Sequence, residues 1–157
     1  MAKNTIKVKK YSDVIEEYTA TAVALTAGYL LEVTSSGTVQ AHSTVGGDAL
    51  PPMFALEDEL QGDGITDSIT ASAKVQCWIP YRGDQVYAVL KDGEDVAIGD
   101  PLESAGNGQL QEHTADVADS DDPLTVYPNG IVAIALEAVD LSASSNDATG
   151  RIIVRIV

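Results

Sequence analysis

Apolar and polar residues alternate, or stand in short blocks, along most of the 157 residues, and Gly, Asn, Asp and Pro separate these blocks. An alternation with a period of two is typical of a strand with one buried face. Helical periodicity is limited to one turn at residues 13–18. The pattern predicts strands at residues 22–25, 30–33, 38–42, 53–56, 74–79, 85–90, 109–113, 130–136 and 151–156.

Turn-forming residues separate the predicted strands. Glycines in the runs 35–37, 91–93 and 106–108 can supply the positive φ angle that hairpin turns need. Many short strands joined by such turns favour a barrel or sandwich over a parallel α/β sheet. We therefore expect an all-β fold, a compact domain resembling a β-barrel or β-sandwich.

The chain also contains an internal repeat. Residues 25–44 align without a gap to residues 96–115, and the run Ala-Leu-Glu at 55–57 recurs at 135–137. The identical pairs in the first alignment are Gly28 and Gly99, Leu31 and Leu102, Glu32 and Glu103, Gly37 and Gly108, Gln40 and Gln111, and His42 and His113. Chance similarity between short β segments is the alternative to a true repeat.

The repeat predicts an internal duplication of a small β-module, with copies at about 22–79 and 86–157. Modules of this size bury too little surface to be stable alone, so they should share a core. We therefore expect a single β-rich domain over residues 18–157.

Charge changes the view of the N-terminus. The net charge is −15, yet residues 1–10 contain four lysines and no acid, so residues 11–157 have a net charge of −19. Apolar side chains alternate with polar ones in this segment, which predicts an extended basic arm over residues 1–17. The arm either frays in solvent or adds as a strand to a partner's sheet, where backbone bonds provide affinity and lysines steer the encounter. The candidate contact residues are Lys3, Thr5, Ile6, Lys7, Val8, Lys9 and Lys10.

Composition restricts the classes of partner. A pI near 4.1 argues against nucleic acid and against anionic membrane surfaces, because both attract basic proteins. The sequence has no apolar run long enough to cross a bilayer and no apolar export signal, so we expect a protein made in the cytoplasm. The lone Cys77 excludes an internal disulfide.

Candidate catalytic residues occur at equivalent positions of the repeat. His42 matches His113, and the glutamate pairs Glu32 with Glu103 and Glu57 with Glu137 could act as acid and base in glycoside hydrolysis. Duplicated positions more often serve architecture, such as a loop-closing hydrogen bond or the capping of a strand end. There is no nucleophile elbow and no phosphate-binding loop. We therefore expect no enzyme and no cofactor.

The sequence offers little support for a metal site. Acidic residues cluster at 92–95 and 116–122, which would suit calcium, but neither cluster has the EF-hand spacing. Two histidines and one cysteine, far apart in the sequence, fit no zinc motif. We expect no metal site, and we interpret Arg82-Gly83-Asp84 as a turn that leads into a strand.

Four segments resemble a known family: residues 53–62 (MFALEDELQG), 82–90 (RGDQVYAVL), 96–104 (VAIGDPLES) and 150–157 (GRIIVRIV). Together they resemble capsid decoration (cement) proteins of tailed bacteriophages and related viruses. The resemblance extends from about Tyr18 to Val157 and consists of hairpins and signature phrases.

The resemblance implies a structural virion protein on the capsid exterior that binds the major capsid protein and stabilises the expanded head. It implies a homotrimer at three-fold and quasi-three-fold positions, no nucleic-acid or membrane partner, and an arm at residues 3–10 that becomes ordered on the shell. Removing residues 1–10 should then leave a folded protein. A monomer or dimer, and a tail or receptor- or sugar-binding module that uses Trp78, Tyr81 and Tyr87, are the alternatives.

Overall fold

The computed structural model describes residues 5–10, 14–115, 127–143 and 150–157, and within them the chain is all-β. The strands are short because turns interrupt the alternating segments every few residues. They are β1 (Lys7–Lys9), β2 (Ile15–Thr19), β3 (Leu25–Thr26), β4 (Leu31–Val33), β5 (Val39–Ala41), β6 (Phe54–Ala55), β7 (Ser68–Ile69), β8 (Lys74–Trp78), β9 (Gln85–Val89), β10 (Asp95–Val96), β11 (Pro101–Ser104), β12 (Leu110–Glu112), β13 (Ile131–Ala135), β14 (Val139–Asp140) and β15 (Arg151–Ile156).

The C-terminal half forms a small barrel. Its sheet has the order β1-β9-β15-β13-β11-β12, and all neighbouring strands in it are antiparallel. A parallel bridge between Leu90 and Leu110 brings β12 back to the end of β9 and closes the sheet. We call strands β9–β15 the second barrel.

The N-terminal half repeats this arrangement. Here β2, β8 and β6 form one sheet, the bridge between Leu30 and Phe54 connects it to the β4–β5 hairpin, and a parallel bridge between Ala20 and Val39 closes the ring. We call strands β2–β8 the first barrel.

The pairing schemes of the two barrels correspond strand by strand. Both hairpins named in the alignment have the same register, with Glu32 opposite Gln40 and Glu103 opposite Gln111. The β2–β8 ladder matches the β9–β15 ladder, and the β3–β7 pair matches the β10–β14 pair. The correspondence begins at β2 and β9, earlier than residue 22, where the alignment predicts the start of the first module. A duplication as the origin of the two barrels stays a prediction.

Two clusters of buried side chains lie inside these barrels. The smaller one fills the first barrel, and the larger one combines second-barrel residues with Leu30, Phe54 and Trp78 of the first. The two barrels therefore bury apolar surface against each other.

Local structure differs from expectation at several places. The predicted helical turn at 13–18 is wrong, because residues from Ile15 onward form β2, paired in register with β8. Strand β11, which is absent from the predicted strands, begins at Pro101, and proline is tolerated at the first residue of a strand.

The extended arm predicted for residues 1–17 is also corrected where the structure describes it. Strand β1 pairs with β9 inside the protein, and Ile6 has no exposed surface. The predicted boundary at Tyr18 falls within β2. The reason is that an alternating strand with a buried isoleucine can complete the chain's own sheet as readily as a partner's sheet.

Candidate functional site

Strand β1 lies along the outer edge of β9. Lys7 is opposite Val86 and Lys9 is opposite Gln85, and the N–H of Tyr87 donates a hydrogen bond to the carbonyl of Ile6 at 2.8 Å. Since β1 is the terminal strand of this sheet, it replaces β9 as the edge of the second barrel.

Glu57 fixes the start of this segment. Its Oε1 accepts a hydrogen bond from the hydroxyl of Thr5 at 2.7 Å and another from the N–H of Ile6 at 3.2 Å. The Ile6 side chain packs in the larger apolar cluster. The sequence marked Glu57 as one of a carboxylate pair, but it contained no signal that this residue holds a segment 51 positions earlier.

The predicted contact residues thus divide into two groups. Thr5 and Ile6 anchor the segment, whereas Lys7 and Val8 are half-buried and Lys10 is exposed. Lys3 lies outside the described residues, and the structure gives the main chain of Lys9 in β1. The side chains of this segment that are partly or fully exposed form a basic strip, defined here as Lys7, Val8 and Lys10, on the edge strand of a sheet.

His42 and His113 occupy equivalent positions but have different neighbours. His42 is 3% exposed, and its Nδ1 lies 2.9 Å from the hydroxyl of Ser104 while its Nε2 lies 3.1 Å from the carbonyl of Asp48. His113 is more exposed, and its Nδ1 lies 2.6 Å from Oε2 of Glu103. His42 therefore closes its own loop and connects the two barrels.

The grouping of Ser104, His42 and Glu32 has the residue types of a hydrolytic triad but not its accessibility. Ser104 has no exposed surface, and its oxygen also accepts a hydrogen bond from the N–H of Gly106 at 3.1 Å. The Nε2 of His42 is 3.8 Å from the Glu32 carboxylate. A substrate has no path to this hydroxyl, so the grouping is structural.

The glutamates of the repeat bind separate local partners. Glu32 accepts hydrogen bonds from Gln40 and Ser43, Glu103 from Gln111, and Glu137 from the N–H of Ile153. Burial alone would raise the pKa of Glu32, but the hydrogen bonds outweigh it and lower that pKa. These carboxylates hold hairpins and strand ends.

The other residues that the sequence marked as candidates lie in the core, at a turn or on the surface. Cys77 and Trp78 have no exposed surface, and burial raises the pKa of the Cys77 thiol to about 12. Because Trp78 is in the core, it cannot join the 68% exposed Tyr81 in a binding surface. Asp84 is buried, and its carboxylate accepts a hydrogen bond from the N–H of Tyr81 at 2.7 Å, so Arg82-Gly83-Asp84 forms the predicted turn before β9.

Two further classes of site are a metal centre and a membrane-spanning helix. Among the described residues, no group of three or more His, Cys, Asp or Glu side chains could hold a metal ion. The acidic residues at 116–122 lie outside those residues. In the same part of the chain, no helix has the length and apolar character needed to cross a membrane.

Comparison with known proteins gives one kind of match. No protein-family model and no curated protein matches the chain. Among solved structures, the fold is similar to that of the head fiber gp8.5 N base of bacteriophage phi29, with a TM-score of 0.51 and 15% sequence identity. The match covers 92% of this chain and 95% of that chain. Both barrels are therefore included in the fold that this chain shares with the head-fiber base.

Proposed function

We propose that this protein is a capsid-associated structural protein of a tailed bacteriophage, which binds the outer surface of the shell and stabilises the expanded head. The observation that supports the proposal most is the fold likeness, over nearly the full length of both chains, to the base of a phage head fiber. The proposal also agrees with the resemblance of four sequence segments to capsid decoration proteins.

The partner in this proposal is the major capsid protein. The basic strip (Lys7, Val8, Lys10) stands on an edge strand, and an edge strand can accept a further strand through its backbone. The rest of the chain is strongly acidic, so these lysines would orient the protein with this edge toward an acidic patch of the shell. Docking as a homotrimer at three-fold and quasi-three-fold positions is part of the proposal.

Stabilisation would follow from differential affinity. A protein that binds the expanded lattice more tightly than the unexpanded one shifts the equilibrium toward the expanded state. Many copies that each bind with modest affinity would together resist the pressure of the packaged genome.

Binding to empty shells tests the proposal directly. Purified full-length protein should co-sediment with expanded shells of the phage that encodes it, and less with unexpanded shells. Shells that bind it should withstand a higher temperature before they rupture. Absence of binding to both kinds of shell would disprove the proposed function.

A pair of matched variants tests the role of the strip. Replacement of Lys7 and Lys10 by Gln should weaken shell binding and flatten its dependence on salt, because fewer charges take part. The control is the double variant Lys74→Gln and Lys91→Gln, which removes lysines outside the segment. If both variants lose shell binding equally, overall charge determines binding and the position of the lysines on this edge does not.

A further inference from the structure

The two barrels contact each other through different faces. The first barrel contributes a turn face, defined as Ala27, Gly28 and His42, and the second contributes an edge face, defined as Val89 and Ser104. The N–H of Val89 donates a hydrogen bond to the carbonyl of Gly28 at 3.2 Å, and Nδ1 of His42 lies 2.9 Å from the hydroxyl of Ser104. Ala27 is 1% exposed and Ser104 is fully buried.

The second barrel has its own turn face, and nothing covers it in the described part of the chain. By the repeat alignment, Ile98, Gly99 and His113 are the counterparts of the three turn-face residues. Ile98 is 69% exposed, whereas its counterpart Ala27 is buried. A Cβ placed on Gly99 would have no atom within 4 Å, whereas one on Gly28 would meet the second barrel.

The first barrel likewise has an uncovered edge face. Thr19 and Val33 are the counterparts of Val89 and Ser104, and Val33 is 50% exposed. No strand of the described residues pairs with the outer edge of β2, whose counterpart β9 is covered by β1. Each chain therefore has an uncovered turn face on its second barrel and an uncovered edge face on its first barrel. These two faces are the two halves of the contact between the barrels.

The backbone of β2 is directed for such a contact. The carbonyl of Val14 accepts a hydrogen bond from the N–H of Ile79, and the N–H of Ala20 donates one to the carbonyl of Ala73. Both groups, which flank β2, therefore point toward β8. In an antiparallel ladder the bonding direction alternates along the strand, so the N–H of Thr19 points to the opposite edge. The N–H of Val89 has the same direction in β9, and its acceptor there is Gly28.

We propose that copies of this chain associate head to tail, with the outer turn face of one copy (Ile98, Gly99, His113) docked on the outer edge face of the next (Thr19, Val33). In this contact the N–H of Thr19 donates to the carbonyl of Gly99, as Val89 does to Gly28. Ile98 and Val33 lose their exposure. The occupant is a second copy because both complementary halves belong to the same chain.

The contact between copies is weaker than the one between barrels. Leu30 donates its N–H to the carbonyl of Gly108 across the barrels at 2.7 Å, but its counterpart is Pro101, which has no N–H. Each copy also has a net charge of −15, so the copies repel at low salt. Association should therefore depend on protein concentration and increase with salt. A head-to-tail contact gives a closed ring or an open chain.

Sedimentation equilibrium of the full chain tests this proposal without any capsid. The wild type should form species that are multiples of 16.4 kDa. Ile98→Asp, which places a charge in the turn face, and Thr19→Pro, which removes the edge donor, should each be monomeric. The controls Thr19→Val, which keeps the N–H, and Leu60→Asp, at a residue 90% exposed in the loop that follows Glu57, should behave as the wild type.

Mixing the two defective variants gives the sharpest result. Thr19→Pro retains a working turn face and Ile98→Asp retains a working edge face, so the mixture should form a dimer and nothing larger. A wild type that is monomeric at every concentration and salt, or an oligomer abolished by Leu60→Asp and not by Ile98→Asp, would overturn the proposal. If circular dichroism shows that Thr19→Pro does not fold, the comparison of Ile98→Asp with Leu60→Asp decides alone.

Discussion

The carboxylate of Glu57 accepts a hydrogen bond from the backbone N–H of Ile6, 3.2 Å away, although the two residues are 51 positions apart. Glu57 is in the first barrel, while the strand that begins just after Ile6 belongs to the sheet of the second. One carboxylate of the first barrel thus holds a segment that pairs with the second barrel.

Replacing Glu57 by Ala should lower the free energy of unfolding by about 1–3 kcal/mol, because the buried N–H of Ile6 loses its acceptor. Urea denaturation followed by the fluorescence of Trp78, the only tryptophan, measures this. Glu59→Ala, at an exposed position of the same loop, is the control and should change stability by less than about 0.5 kcal/mol. Equal effects of the two substitutions would contradict the anchoring role.

Deleting residues 1–10 should destabilise the protein, in contrast to the expectation from sequence alone. The deletion removes Ile6, whose burial is worth about 1.5–3 kcal/mol, and uncovers the edge of β9. An uncovered edge also favours aggregation. The measurement is the melting temperature by circular dichroism together with light scattering. A truncated chain that melts with the wild type would show that β1 contributes nothing to the fold.

Gly28→Ala should be more damaging than Gly93→Ala. Both glycines have a φ of +89°, so alanine is strained by about 1–2 kcal/mol at either position. At Gly93 the new Cβ has free space, but at Gly28 it would collide with the guanidinium of Arg151 and lie 3.0 Å from the carbonyl of Tyr87. Overpacking adds about 1–3 kcal/mol there. If denaturant unfolding shows equal losses of stability for the two variants, the second barrel can shift to make room for a Cβ at Gly28 without a cost in free energy.

The Cys77 thiol predicts a decline in stability at alkaline pH. Its pKa rises from 9.0 to about 12 on folding, so between these values the unfolded chain loses a proton that the folded chain keeps. The unfolded state therefore gains free energy of ionisation, and stability falls as pH rises from about 9 toward 12. Cys77→Ala should reduce this slope in urea titrations between pH 8 and 10. Rapid reaction of the native thiol with a thiol reagent at pH 9 would contradict the assignment.

The sequence predicted most of the longer strands because their inward positions alternate. In β15, for example, Ile152, Val154 and Ile156 face the barrel interior and the residues between them do not. Strand β2 lacks this signal, since residues 15–17 are all exposed and its place is set by the ladder with β8. Strands of two residues, such as β3 and β10, are too short for a period to be recognised.

The site was predicted less well than the fold. Alternation in the N-terminal segment predicts a β-strand, but periodicity does not identify the sheet that a strand joins. That information depends on Glu57 and on the open edge of β9, which only the three-dimensional arrangement brings together.

The β1–β9 pairing also has a consequence for synthesis on the ribosome. Lys9 pairs with Gln85, so β1 leaves the exit tunnel long before the strand that receives it has been translated. Contacts between residues so distant in sequence form slowly, since a large loop must close first. All strands of the first barrel are therefore synthesised while β1 still waits, as an unpaired, lysine-rich segment, for the second half of the chain to emerge.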